Sequence, residues 1–135
     1  MEKVTIYTQE NCKYCEEVKS IFKENNVDFI EMSTTEHPEE WKKIMYMSTM
    51  GITPTILYKD FYFIANRDFQ TPVQLVKILK DFNRPDVDNS VLVLERTRTL
   101  NYNIMLALQN LNSVIRDINN KLEHQQENNT NPQKF

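Results

Sequence analysis

No stretch of the sequence is apolar for long enough to span a bilayer, and the opening Met1–Glu10 lacks the apolar run of a secretory leader. The expected setting is therefore the reducing cytoplasm, the host's cytoplasm if the chain is phage-encoded. Positive charge is not in excess: the formal net charge is −3, which gives no reason to expect nucleic acid or an anionic membrane as partner. Histidine occurs twice, at His37 and His124, far from each other and from the cysteines. A four-ligand zinc site is thus short of ligands. His37 reads as a loop or cap residue and His124 as a solvated helix residue. Glycine occurs once, at Gly51, and Asn, Lys and Ile are plentiful, a compositional bias such as an AT-rich phage genome would leave. At 135 residues, with 40% hydrophobic and 26% charged, the chain has room for one small globular domain and an appendage.

Cysteine is also scarce, but its two copies are informative. They stand in Asn11-Cys12-Lys13-Tyr14-Cys15, between a strand-like run, Val4-Thr5-Ile6-Tyr7, and a helix-like run with Val18, Ile21 and Phe22 at three- and four-residue spacing. Asn11 is a good N-cap, which would put Cys12 in the first turn, where free amides and the dipole's positive end favour a thiolate. Lys13 adds a positive charge beside it. The Cys12 thiol is then expected to fall from about 8.5 towards roughly 7 or below. Cys15 lies one turn on, on the same face. Cys12 would attack a substrate disulfide, and Cys15 would displace the captured thiol. Three other readings are a structural disulfide, which a reducing compartment disfavours, half of a zinc site, and two ordinary buried thiols. A cysteine pair that follows a strand and opens a helix favours redox work.

The flanking elements alternate. Strands are expected at Lys3–Tyr7, Asp28–Met32, Thr55–Tyr58 and Phe61–Ala65, and helices at Cys12–Asn25, Pro38–Met47 and Thr71–Phe82. Lys59-Asp60 forms a two-residue hairpin despite being an unfavoured pair. Thr71 caps the third helix and Pro72 opens it. The order β-α-β-α-β-β-α gives an α/β chain with a four-stranded mixed sheet covered by helices on both faces.

The run VTIYTQENCKYCEEVKSIFKENNVDFIEM, continued by GITPTILYKDFYFI, resembles glutaredoxins and the glutaredoxin-like hydrogen donors for ribonucleotide reductase over about residues 1–82. Cys-Lys-Tyr-Cys stands close to the family's Cys-Pro-Tyr-Cys. The resemblance implies a thioredoxin-like fold and dithiol–disulfide oxidoreductase activity through Cys12 and Cys15, with no tightly bound cofactor. It also implies a cis Pro54, a Thr53 whose backbone pairs with substrate, and a Tyr14 that helps shape the groove. The implied partners are a disulfide-bearing protein and a thiol reductant, either glutathione or a reductase. Two positions depart from the family. Gln9, followed by Glu10, replaces the lysine three residues before the first cysteine, and Ala65-Asn66-Arg67-Asp68 replaces a Gly-Gly pair that approaches glutathione. Both changes weaken an anion site, with Arg67 as the cation that would compensate. The same weakening counts against an iron–sulfur cluster held between two copies with glutathione. Met47 and Met50 flank the loop before Pro54, as core filler or as an adaptable groove lining.

Past residue 82 the chain changes character. Residues 83–94 read as a linker, polar and proline-containing up to Ser90, with Val91–Leu94 open between a strand and a helix entry. Residues 95–126 hold no Gly or Pro, and Ile104, Leu108, Leu111, Ile115, Ile118 and Leu122 recur at four and three residues. This heptad seam has Asn101 in one core series and Leu100, Ala107 and Val114 widening one flank. The expected role is oligomerisation or binding of a helical partner protein, in a bundle of three or more helices. An extra helix folded back on its own domain is the plainer reading. Residues 127–135 are a Gln/Asn-rich polar tail, expected to be disordered alone. The sequence thus offers an oxidoreductase or, alternatively, a structural subunit of a larger assembly such as a phage virion.

Overall fold

The computed structural model describes residues 1–86 and 90–130. Its elements are β1 (Val4–Thr8), α1 (Lys13–Glu24), β2 (Phe29–Ser33), α2 (Pro38–Ser48), β3 (Thr55–Tyr58), β4 (Phe61–Ile64), α3 (Pro72–Asp81) and α4 (Val91–Thr130). The sheet order is β2-β1-β3-β4. β1 runs parallel to β2 and antiparallel to β3, and β3 runs antiparallel to β4. This is the thioredoxin-like arrangement the resemblance implies, followed by a long C-terminal helix.

Strand alternation divides the apolar residues between two faces. Val4 and Ile6 of β1, Ile56 and Tyr58 of β3, and Phe63 of β4 meet Val18 and Phe22 of α1 and Leu75, Val76 and Leu79 of α3 in the main core. Tyr7, one residue out of phase with Ile6, points the other way and packs on Trp41 and Ile44 of α2. Each such buried side chain contributes roughly 1.5–3 kcal/mol, so the two cores hold α1 and α2 against opposite faces of the sheet. α1 carries the cysteine pair at its N-terminal end, and the core under Val18 and Phe22 fixes where that end points.

The turns use little glycine. Lys59 and Asp60 both adopt positive φ, 49° and 65°, the primed geometry that a two-residue hairpin demands. Asn26 and Asn66 supply two further left-handed positions, and Thr49 ends α2 at φ 57°. His37 is the N-cap residue of α2, with Pro38 behind it and no side-chain capping bond. Thr71 caps α3 through its Oγ1, which accepts the Gln74 amide at 3.1 Å.

α4 begins at Val91, inside the stretch expected to be linker, and absorbs Val91–Leu94 as its first turn. It continues to Thr130, past the expected end at 126. Linker residues 87–89 and tail residues 131–135 lie outside the described residues. The chain divides into two compact units, one running Met1–Thr99 and the other starting at Leu100. The first turns of α4 therefore belong to the unit that carries the sheet. No helix among the described residues is long and apolar enough to cross a membrane.

Candidate active site

Cys12 is the N-cap of α1. Its backbone is extended, φ −85° and ψ 94°, and its Sγ accepts the Cys15 amide at 3.2 Å. This corrects the expectation that Asn11 is the cap and Cys12 a first-turn residue. Asn11 instead takes φ 57° and turns the chain into the helix, a conformation Asn tolerates better than most residues. Sulfur then takes the acceptor's place over the free amides. The reacting atom thus sits directly on the positive end of the helix, closer than a first-turn position would bring it.

The two cysteines are joined as a disulfide with a Cα–Cα distance of 5.2 Å. Their environments differ. Cys12 is half-buried, and Cys15 is 1% exposed. An outer sulfur that a substrate can reach and an inner sulfur shielded from it match the order of attack and resolution.

The Thr53–Pro54 bond is cis, as the resemblance implies. Thr53 Oγ1 lies 3.6 Å from Cys12 Sγ and 3.4 Å from Gln9 Oε1. Pro54 is buried, and its carbonyl accepts the Ala65 amide at 3.2 Å, which ties the cis-proline segment to the loop after β4. Tyr14 turns its ring towards Phe69 of that loop, with centroids 6.0 Å apart. The Tyr14 hydroxyl is buried without a hydrogen-bond partner among the described residues. Burial, reinforced by Glu17, raises its pKa above the ordinary phenol value, so it stays protonated. Met47 and Met50 are both half-buried.

Arg67 does not take the compensating role. Its side chain is 1% exposed, with Nη1 2.7 Å from Glu95 Oε2 and Nη2 2.8 Å from Asp68 Oδ2. Nη1 also donates to the Thr99 hydroxyl at 3.2 Å, and Nη2 to the Tyr62 carbonyl at 3.2 Å. Arg98 completes the group, pairing with Asp68 and Glu95, each at 2.9 Å. A guanidinium so engaged is not free for a bound anion. Sequence reasoning does not find this network, because it places Arg67 in the loop after β4 and Glu95 and Arg98 on a separate helix, with nothing local to join them. The usable signal was Leu92, Glu95 and Thr99 at helical spacing, which marks one face that carries a carboxylate inward.

The seam residues Ile104, Leu108, Leu111, Ile115, Ile118 and Leu122 are all on α4, and each is 47–56% exposed. Among the described residues no group of three or more His, Cys, Asp and Glu could hold a metal ion.

Comparison with known proteins gives the family. The glutaredoxin family model matches residues 4–62. The glutaredoxin-like protein NrdH of Lactococcus lactis, in each of two strains, is 33% identical over 75 residues, which are 56% of this chain and 97% of the relative. Among solved structures, a thioredoxin-like protein is 23% identical over 58% of this chain and 99% of its own, with a TM-score of 0.48. Glutaredoxin from Brucella melitensis is 22% identical over 63% and 96%, also at 0.48. With a relative matched at that identity along almost its whole length, and a cysteine pair set as such chemistry needs, the chain belongs to the glutaredoxin family of thiol–disulfide oxidoreductases.

Proposed function

We propose that the protein reduces disulfides in protein substrates at Cys12 and takes its electrons from a protein reductase in preference to glutathione. The Cys12 thiolate attacks one sulfur of the substrate disulfide, and the other leaves as a thiolate. The Cys15 thiolate then attacks Cys12 Sγ, which releases the reduced substrate and leaves Cys12–Cys15 oxidised, two electrons having moved. A dithiol on the reductase reverses the pair's oxidation. Thr53 offers its backbone to the substrate chain, Pro54 holds Thr53 in place, and Tyr14 walls the groove. The observation that carries this reading is the half-buried Cys12 sulfur on the helix cap, with the Thr53 hydroxyl beside it. The preference against glutathione is supported by Gln9 in place of a lysine and by Arg67 held on Glu95 and Asp68.

The test is turnover. Cys12→Ser should abolish reduction of insulin and of small mixed disulfides. Cys15→Ser should leave monothiol activity at most, or a trapped mixed disulfide. Supplied separately, a thioredoxin-type reductase with its nicotinamide donor should outpace glutathione with its own reductase at least tenfold. Equal rates would remove the preference and leave the oxidoreductase reading intact.

A second role is favoured by the exposed seam. We propose that α4 from Leu100 onward assembles with other copies of this chain. In the heptad set by Ile104 and Leu108, the flanking positions are Leu100, Ala107, Val114 and Lys121 on one side and Met105, Asn112, Asn119 and Gln126 on the other. No carboxylate stands among them and Lys121 is the single charge. Identical helices therefore meet without repulsion between like charges, and there is no charge pattern to select a foreign partner. The redox module would end at Thr99 and the assembly helix would begin at Leu100. A native mass equal to one chain would refute self-assembly. The seam would then be left to a helical partner of another sequence, as in a subunit of a larger assembly.

A further inference from the structure

We infer that Thr99 and Glu95, at the root of α4, are positioning residues for the substrate groove. The inference rests on the proposed reduction of protein disulfides at Cys12.

Two segments meet at Pro54. One leaves the end of α2 at Ser48 and reaches Thr53. The other is the loop after β4, bound to the Pro54 carbonyl through the Ala65 amide and facing Tyr14 through Phe69. Both are held from behind by the same turn of α4. Thr99, 2% exposed, donates its hydroxyl to the Ser48 carbonyl, which fixes the last turn of α2 where it releases the chain towards Thr53. The same hydroxyl accepts from Arg67 Nη1, and Glu95, fully buried, pairs with that guanidinium. Arg67 in turn grips Asp68, whose Oδ2 accepts the Ile64 amide at 2.7 Å and closes the loop that carries Phe69. Removing the Thr99 hydroxyl therefore releases the Ser48 wall and takes one of the bonds from Arg67, so the two walls are no longer tied through one atom. The cysteine pair keeps its own support, because Cys12 Sγ is held by the Cys15 amide of α1 at 3.2 Å, and the Thr53 hydroxyl is a longer contact at 3.6 Å.

A long substrate segment that must lie along Thr53 needs both walls in register. A small disulfide that touches only Cys12 does not. The two substrates thus separate positioning from chemistry.

The experiment uses the full chain, pre-reduced, in single turnovers with insulin and with the small aromatic disulfide dithiobis(nitrobenzoate). Thr99→Val should lower the rate constant for insulin at least fivefold and change that for the small disulfide less than twofold. Thr99→Ser, which keeps the hydroxyl, should restore the insulin rate. If Thr99→Val does not fold, Glu95→Gln keeps the side chain's shape and should give the same split. An unchanged insulin rate would overturn the inference. So would equal loss on both probes, which is what a smaller folded fraction or damaged cysteines would give. An unmodified chain inactive on both probes would remove the redox reading itself, an outcome told apart from these two by the control alone.

Discussion

Single residues carry an unusual share of the backbone strain. Among the described residues, six non-glycine positions sit at positive φ: Asn11, Asn26, Thr49, Lys59, Asp60 and Asn66. The one glycine, Gly51, is not at positive φ. A Cβ there would meet only the flexible end of Met45, at 3.2 Å. Asn replaces glycine well in such positions. Thr49 does not, since a β-branched residue in left-handed conformation costs about 1–2 kcal/mol. Thr49→Gly should therefore raise stability by about 0.5–1 kcal/mol, after the extra freedom glycine gives the unfolded chain is subtracted. The urea midpoint checks it, and a lower midpoint would contradict the strain. Glu31 tests the electrostatics. Its hydrogen bond from Lys19, at 2.9 Å, holds the carboxyl below its usual range, against the upward push of partial burial and with help from Thr8. A lowered carboxyl stabilises above its unfolded value and loses that contribution as pH falls through its folded value. Glu31 is 43% exposed at its side chain, so the contribution is about 0.5 kcal/mol once screening is allowed for. Glu31→Gln should melt about 2 °C below the unchanged protein at pH 7, and the gap should close by about pH 3. A gap that persists in acid would show that the residue acts through packing.

Among elements, what was legible in the sequence followed the strength of the local signal. The strands and α1–α3 were readable because alternation and helical spacing sit between clear caps: Pro38, Pro72 and Thr71 lie where the helices start. The cysteine pair was readable because its chemistry is tied to short spacing, whereas the cis Thr53-Pro54 bond came only through the family resemblance. The N-cap was misplaced by one residue because both Asn11 and Cys12 can serve, and only the backbone decides between turning and capping. The root of α4 was illegible for a different reason. Glu95 and Arg98 look like solvated helix charges until Arg67, about thirty residues earlier, is brought beneath them by β4 and its loop. This cluster predicts a strong asymmetry. Arg67→Leu leaves the fully buried Glu95 with Arg98 as its one remaining cation and Oε2 unpaired, and should cost about 3 kcal/mol. Arg67→Leu combined with Glu95→Leu removes both charges and should recover more than half of that loss. Denaturant midpoints of the two single variants and the double variant decide it. Simple additivity would mean that the ion pair is not what holds α4 to the loop.

At the scale of the molecule, α4 is one helix whose residues are divided between the two units. Its first turns complete the unit that carries the cysteines, and Tyr62 of the sheet's edge strand β4 is covered there by Arg67 and Arg98, which bond its carbonyl at 3.2 and 2.6 Å. From Leu100 the helix turns out an apolar seam, and α4 as a whole, 40 residues, is about 60 Å long. The point at which the chain is cut should therefore decide what is lost. A chain ended after Asn103 keeps Glu95, Arg98 and Thr99 and should retain the fold and insulin reduction within about twofold of the full chain. A chain ended after Asp86 leaves Arg67 without Glu95, exposes the edge strand and should lose stability by several kcal/mol. The seam shows in a separate measurement. If copies associate through Leu108 and Ile115, mass action makes the helical melting signal of the full chain shift upward with protein concentration. The chain ended after Asn103 should show no such shift. A midpoint independent of concentration over a hundredfold range would mean that the seam does not bind itself, and both sedimentation mass and the Leu111→Asp variant should then leave the full chain unchanged.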